Sequence, residues 1–139
     1  MTVRTYRESV KTQGEAEVLN ITPLAQKALG KSALQNGVLN AFVPGSTAAI
    51  TTIEFESGAV HDLRAAIERI APRAIHYEHD KRWGDMNGYS HVRAALMKPG
   101  LAIPFEGGEL LLGTWQQLVL VDFDNRPRDR EVIFQLVGE

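Results

Sequence analysis

Three short stretches of this chain bring together residue types that handle charge and protons. Gly45-Ser46-Thr47 follows an apolar run and combines a glycine that permits close approach to the backbone, exposed amides and two hydroxyls, a set suited to holding phosphate oxygens. It is not a Walker loop, because the lysine and the longer spacing are missing. A plain β-turn would use the same residues. Asp85, Asn87, Ser90, His91 and Arg93 gather around the expected start of a helix, where unpaired N–H groups and the macrodipole attract anions. There His91 could transfer a proton or ligate a metal through one ring nitrogen, and Arg93 could neutralise a phosphate by paired hydrogen bonds. The alternative makes Asn87 a helix cap and His91 a hydrogen-bonded structural residue.

The third stretch, Gly113-Thr114-Trp115-Gln116-Gln117, sets a hydroxyl, an indole and two amides at the mouth of the apolar run Leu118 to Val121. A run apolar on both faces is buried on both, and a polar group buried beside it must find a partner or cost about 1 to 3 kcal/mol. Strand alternation turns Trp115 away from Thr114 and Gln116, so the latter two are the stronger ligand contacts, while core packing competes as the account of Trp115. His76 and His79 flank Glu78 and resemble a ligand cluster, though an exposed charged connector would look the same. Arg126, Arg128 and Arg130 follow a turn and read as a solvated face, or, in an oligomer, as a reach toward a neighbour's phosphate site.

The elements that must position these groups follow from the apolar pattern. Val3 to Ser9 and Glu15 to Ile21 read as strands, followed by a helix with Thr22 as N-cap and Pro23 at the first helical position, ended by Gly30. Val38 to Val43 and Ile50 to Glu56 are strands joined by the small-residue loop that contains Gly45. Ser57 caps a second helix, with Val60, Leu63, Ile67 and Ile70 on one face and Pro72 as terminator. A polar segment, His76 to Gly88, leads to a short third helix, about Tyr89 to Met97, stopped by Pro99-Gly100. Leu101 to Phe105, Glu109 to Gly113, Trp115 to Phe123 and Arg130 to Val137 are strands separated by close turns, which implies antiparallel pairing. Helices in the middle and strands at both ends predict an α+β fold, mainly antiparallel sheet in a sandwich or barrel-like arrangement with two to three helices.

At 139 residues, 44% hydrophobic and 23% charged, the chain fits a single domain over residues 1–139. A net charge of -2 gives no basic footprint for nucleic acid or an anionic membrane. The absence of cysteine removes disulfides and thiolate metal sites and agrees with a cytoplasmic location. The first residues lack the apolar core of a signal peptide, and no stretch has the roughly 18 apolar residues of a membrane span.

Taken together, Leu101-Ala102-Ile103-Pro104-Phe105, Gly108 and Gly113-Thr114-Trp115-Gln116 resemble the signature of the YjbQ-like family, also called secondary thiamine-phosphate synthases. Trp83-Gly84-Asp85-Met86-Asn87-Gly88-Tyr89-Ser90-His91-Val92-Arg93-Ala94 is similar to the family's Asp-and-His-bearing segment, and Val43 to Thr51 to its hydroxyl-rich loop. The likeness runs from about Val38 to Gly138 and is weaker over the first thirty residues. It implies a YjbQ-like fold, a homotrimer, and the joining of hydroxymethylpyrimidine diphosphate to a thiazole phosphate with release of pyrophosphate.

On that resemblance Gly45, Ser46, Thr47, Asn87, Ser90, Arg93, Thr114, Trp115 and Gln116 bind the phosphorylated ligand and His91 and Asp85 are catalytic. A magnesium ion would rest on Asp85, Glu54 or His91. Gly45 and Tyr89 stand where many members carry His, and Gly100 stands where Ser is common. The first two departures keep open a non-catalytic oligomeric phosphate-ligand-binding protein and an enzyme acting on another phosphorylated small molecule; the third reads as a feature of a turn.

Overall fold

The computed structural model describes residues 1–139. Eight strands and four helices follow in the order β1 (Thr2–Thr12), β2 (Glu17–Asn20), α1 (Thr22–Ser32), β3 (Gly37–Phe42), β4 (Ala48–Glu54), α2 (Ser57–Ile70), α3 (Glu78–Trp83), α4 (Gly88–Met97), β5 (Gly100–Glu106), β6 (Glu109–Leu110), β7 (Gln116–Asp122) and β8 (Arg128–Gly138). Every strand pairing is antiparallel. The strands form a five-stranded sheet, β1-β8-β3-β5-β6, and a three-stranded sheet, β2-β7-β4. The α+β class with mainly antiparallel sheet is the observed one.

The continuous apolar run of β7 has a direct cause. Leu118 and Leu120 face the large sheet and α1, meeting Leu39, Ile103, Phe134 and Leu136, while Val119, Val121 and Phe123 face α2 and α4 through Ile67 and Ala94. The small sheet is therefore the middle layer, buried on both faces, and alternation gives way to a solid hydrophobic stretch.

Several local expectations are corrected. Thr22 lies inside α1, whose N-cap is Ile21, and the helix continues past Gly30 to Ser32. The cap of α2 is Glu56, not Ser57: its carboxylate accepts hydrogen bonds from the amides of Gly58 and Ala59. Ile70 leaves the apolar face of α2 and is 65% exposed. The polar segment before α4 contains a helix, α3, which has no buried residue and hence no apolar stripe to reveal it. Leu111 to Trp115 are not strand, so Thr114 and Trp115 turn at the entrance to β7 instead of alternating along it. Gly100 is not a turn residue but opens β5 opposite Phe42, where a Cβ would stand 2.4 Å from the Ala41 carbonyl oxygen.

Candidate functional site

The Gly45–Thr47 loop, the α3–α4 segment and the start of β8 enclose a cleft of about 340 Å³. Antiparallel register explains the meeting: Ala48 pairs with Asp122, so the loop before β4 lies beside the end of β7 and the turn into β8. Beneath the cleft is a buried charged network. Arg130 donates to Asp122 through Nε at 2.7 Å and Nη2 at 2.9 Å, and Nη2 also donates to Thr47 Oγ1 at 2.7 Å. Thr47 Oγ1 donates onward to Asp124 at 3.1 Å, and Asp124 accepts further bonds from Arg128 Nε at 2.7 Å and Asn87 Nδ2 at 3.2 Å. Both carboxylates are fully buried. Burial alone would raise the Asp124 pKa, but the donors Asn87, the Asn125 amide, Arg128 and Thr47 outweigh it and hold the carboxyl down at about 2.

Two imidazoles form the wall. The rings of His79 and His91 lie 4.3 Å apart between centroids, tilted by 41°. Burial and, next, the neighbouring His79 lower the His91 pKa, against the pull of Asp85, Asp124 and the Ser46 backbone, so the ring is chiefly neutral at pH 7. Among all buried side-chain polar atoms, two lack a hydrogen-bond partner, His79 Nδ1 and Asn87 Oδ1, and both residues line this cleft. The amides of Gly45 and Ser46 are likewise outside the backbone hydrogen-bond set. Gly45 has φ 124°, and a Cβ there would stand 3.2 Å from Arg130 Nη1, the guanidinium nitrogen left out of the Asp122 pair.

Gly45, Ser46, Thr47, Asp85, Asn87 and His91 thus come together around one hollow. The other sequence candidates lie elsewhere. Ser90 is buried and donates to the Phe123 carbonyl at 2.5 Å. Arg93 donates to the Ala71 carbonyl and to Glu68, and its guanidinium stacks 5.0 Å from the Tyr89 ring centroid, so it braces α4 against the end of α2. The first amide of α4, Gly88 N, donates to Asp80 Oδ1 at 2.9 Å, and Asn87 makes no cap bond, since its side chain serves Asp124. Tyr89 is buried and donates to Glu15, away from the cleft.

Thr114 and Gln116 line a separate cleft of about 410 Å³ beside α1, with Trp115 72% exposed next to it. Glu54 pairs with Gln116 at that same end of the small sheet. Seven residues of β7 separate this end from Asp122, roughly 20 Å in an extended strand, so within one chain neither Gln116 nor Glu54 reaches His91. An Asp85–Glu54 magnesium site is therefore not formed in the chain. The second cleft holds no imidazole and no guanidinium, which leaves the His91 cleft as the one equipped for chemistry.

Sequence reasoning misses Asp122 and Asp124, which lie beneath the cleft, and it reads Arg128 and Arg130 as a solvated face or a reach toward a neighbour, whereas they bind Asp124 and Asp122 of their own chain. The available signal is the placement of two carboxylates at the end of a fully apolar run, followed by arginines at alternate positions at the start of the next strand, β8.

A fold of two antiparallel sheets in this arrangement is shared with known proteins. The sequence profile of the UPF0047 protein YjbQ-like family matches residues 7–139, and the chain belongs to that family. It is 32% identical over 139 residues to a UPF0047 protein of Methanothermobacter thermautotrophicus, covering 100% of this chain and 95% of the relative. A UPF0047 protein of Mycobacterium bovis is 36% identical over 107 residues, 76% of this chain and 81% of its own. Among solved structures, a YbjQ-like protein of Sulfolobus solfataricus superposes with TM-score 0.90 at 27% identity, covering 99% of this chain and 100% of that one. A hypothetical protein of Aeropyrum pernix gives TM-score 0.91 at 30% identity over 98% and 99% of the two chains.

These findings overturn the expected synthase activity. The relatives carry the family designation UPF0047, and the Sulfolobus protein is described as of unknown function, so the resemblance supports family and fold but no thiamine-phosphate synthesis. Besides this, no helix of the chain is long and apolar enough to cross a membrane.

Proposed function

We propose that the cleft between the Gly45–Thr47 loop and α3–α4 binds a small phosphorylated molecule and that His91 accepts a proton from it. The observation that carries this reading is the concentration of both unpartnered buried side-chain atoms, His79 Nδ1 and Asn87 Oδ1, in one cleft. Buried polar groups are otherwise paired, and an orphan that costs about 1 to 3 kcal/mol is retained where a ligand supplies the missing partner. Asn87 Oδ1 suits a ligand hydroxyl or amine. The Gly45 and Ser46 amides, Arg130 Nη1 and the half-buried Arg128 suit the phosphoryl oxygens. His91, neutral and beside Asp85, has the protonation state of a general base.

Tyr89 bears on the non-catalytic alternative. Because it lies outside the cleft, the absence of a histidine there removes nothing from the reacting groups. Gly45 does border the cleft, and a side chain at that position would crowd Arg130.

Calorimetry and ³¹P NMR against inorganic phosphate and a panel of phosphorylated metabolites test the reading. Binding should be weakened at least about tenfold by Ser46→Glu, which sets a carboxylate among the phosphoryl contacts. His91→Ala should abolish turnover of the bound compound while keeping affinity within about threefold. No binding by any phosphorylated compound, or equal binding by Ser46→Glu, would remove it. We further propose that the chain assembles as a homotrimer, with exposed Trp115, Leu111 and Phe42 among the surfaces covered.

A further inference from the structure

Four carboxylates, Asp80, Asp85, Asp122 and Asp124, lie in or directly around the His91 cleft, against two guanidiniums, Arg128 and Arg130. The charge of the arginines is already balanced by Asp122 and Asp124, so they can still donate hydrogen bonds from free N–H groups such as Arg130 Nη1 but bring no net positive charge. Asp80, with a side chain only 11% exposed, and Asp85 have no lysine or arginine partner; their one basic neighbour is His79. A phosphorylated ligand entering here would meet two uncompensated carboxylates, a repulsion that a cation must relieve.

We infer that His79, Asp80 and Asp85 hold one divalent first-row metal ion, with zinc or manganese as the chemical class. His79 Nδ1 lies 3.5 Å from Asp85 Oδ1 and 3.7 Å from Asp80 Oδ1, and neither contact is a hydrogen bond, leaving Nδ1 without a partner. One atom from each of the three residues fits within 4.8 Å of the others. Ligands around a single ion at bonds of about 2.1 Å stand about 3 to 3.5 Å apart, so the cluster needs only small side-chain adjustments to close.

The donor set of one imidazole and two carboxylates favours a borderline first-row ion over magnesium, which prefers oxygen and retains water. Gly88 N fixes the Asp80 carboxylate from behind, as the supporting contacts of metal ligands commonly do. An independent sign is Asn87, 5% exposed, lining the same hollow with Oδ1 unpartnered, which gives a metal-held ligand a second anchor. His91, stacked on His79, stays beside the ion as the proton acceptor. The inference rests on the cleft being the ligand site proposed above and adds what balances its charge.

The test uses the full chain after chelator treatment and dialysis, titrated calorimetrically with zinc chloride, manganese chloride or magnesium chloride. Zinc should bind one ion per chain and magnesium much more weakly, while His79→Ala and Asp85→Asn each weaken zinc at least about tenfold. His61→Ala, an exposed remote histidine, should bind as wild type does. Manganese should broaden the imidazole proton signals of His91 and leave those of His61 sharp.

Asp85 is exposed, so its substitution tests the site even where His79→Ala perturbs folding. Zinc below one ion per chain, wild-type affinity in Asp85→Asn, or equal broadening at His61 would overturn the inference. Phosphate titration of the metal-free and zinc-loaded forms separates the two readings. Zinc binding without phosphate binding in either form leaves the metal site standing and removes the phosphorylated ligand. Phosphate binding with no zinc uptake does the reverse.

Discussion

Arg130 and Asp122 form a two-point pair, Nε to Oδ2 at 2.7 Å and Nη2 to Oδ1 at 2.9 Å, with the arginine side chain 9% exposed and the aspartate fully buried. Such a pair contributes little net stability compared with apolar packing, yet removing one member strands the other charge without solvent. Arg130→Met should lower the unfolding free energy by about 3 to 5 kcal/mol in urea titrations. The double change Arg130→Met with Asp122→Asn should recover a substantial part of that loss. A single variant as stable as wild type would show that Asp122 is not held by this contact.

Asp124 makes stability depend on acid. Its folded carboxyl titrates at about 2, below its ordinary value of 3.8, so the folded chain binds fewer protons than the unfolded chain between these values. The contribution, about 2 kcal/mol, is fully present above the unfolded pKa and is lost as pH falls from about 4 toward 2. Urea midpoints measured across that window should fall more steeply for wild type than for Asp124→Asn. Parallel profiles would place the acid sensitivity in other groups.

His91 should titrate below 6.5, the ordinary histidine value, when its imidazole protons are followed by NMR in metal-free protein. Burial is the main cause and His79 the next, so His79→Ala should move the midpoint up without restoring the ordinary value. A wild-type midpoint at or above 6.5 would show that burial and His79 do not lower it, and a ring still mostly cationic at neutral pH would not serve as a base.

Arg93 separates bracing from binding. It connects Ala71, Glu68 and the Tyr89 ring and does not line the cleft. Arg93→Ala should cost about 2 to 3 kcal/mol in stability through a lost charged hydrogen bond and lost packing, with phosphate affinity measured on the folded fraction unchanged. A selective loss of phosphate affinity would assign Arg93 to the ligand after all.

For the trimer, sedimentation equilibrium should return three times the 15.4 kDa chain mass. Trp115→Asp, a charge placed on a 72% exposed indole, should shift the population toward single chains. A monomer at micromolar concentration would reject the assembly.

Much of this architecture is legible in the sequence, because apolar periodicity reports burial. β7, β8 and the inward positions Val60, Leu63 and Ile67 of α2 follow from that signal. α3 was hidden since none of its residues is buried, and the Glu56 cap was hidden since a neighbouring serine offered the more usual one. For the site, the glycine-hydroxyl loop and the Asn87 and His91 segment could be joined by type and order. What escaped was register: only the pairing of Ala48 with Asp122 shows that the carboxylates at the end of one strand underlie the loop before another. The same register places Gln116 and Glu54 at the far end, a separation that linear motif order conceals.

β7 thereby acts as a stiff strut with a polar fitting at each tip. Anchored by side chains on both flanks, it cannot slide lengthwise by one residue without exchanging Leu120 for Val121 across the two cores and moving Asp122 off Arg130. An overfilled position in its middle, such as Val119→Phe, would be felt at the Asp122 end as lost alignment, even though the intruding ring lies far from the cleft.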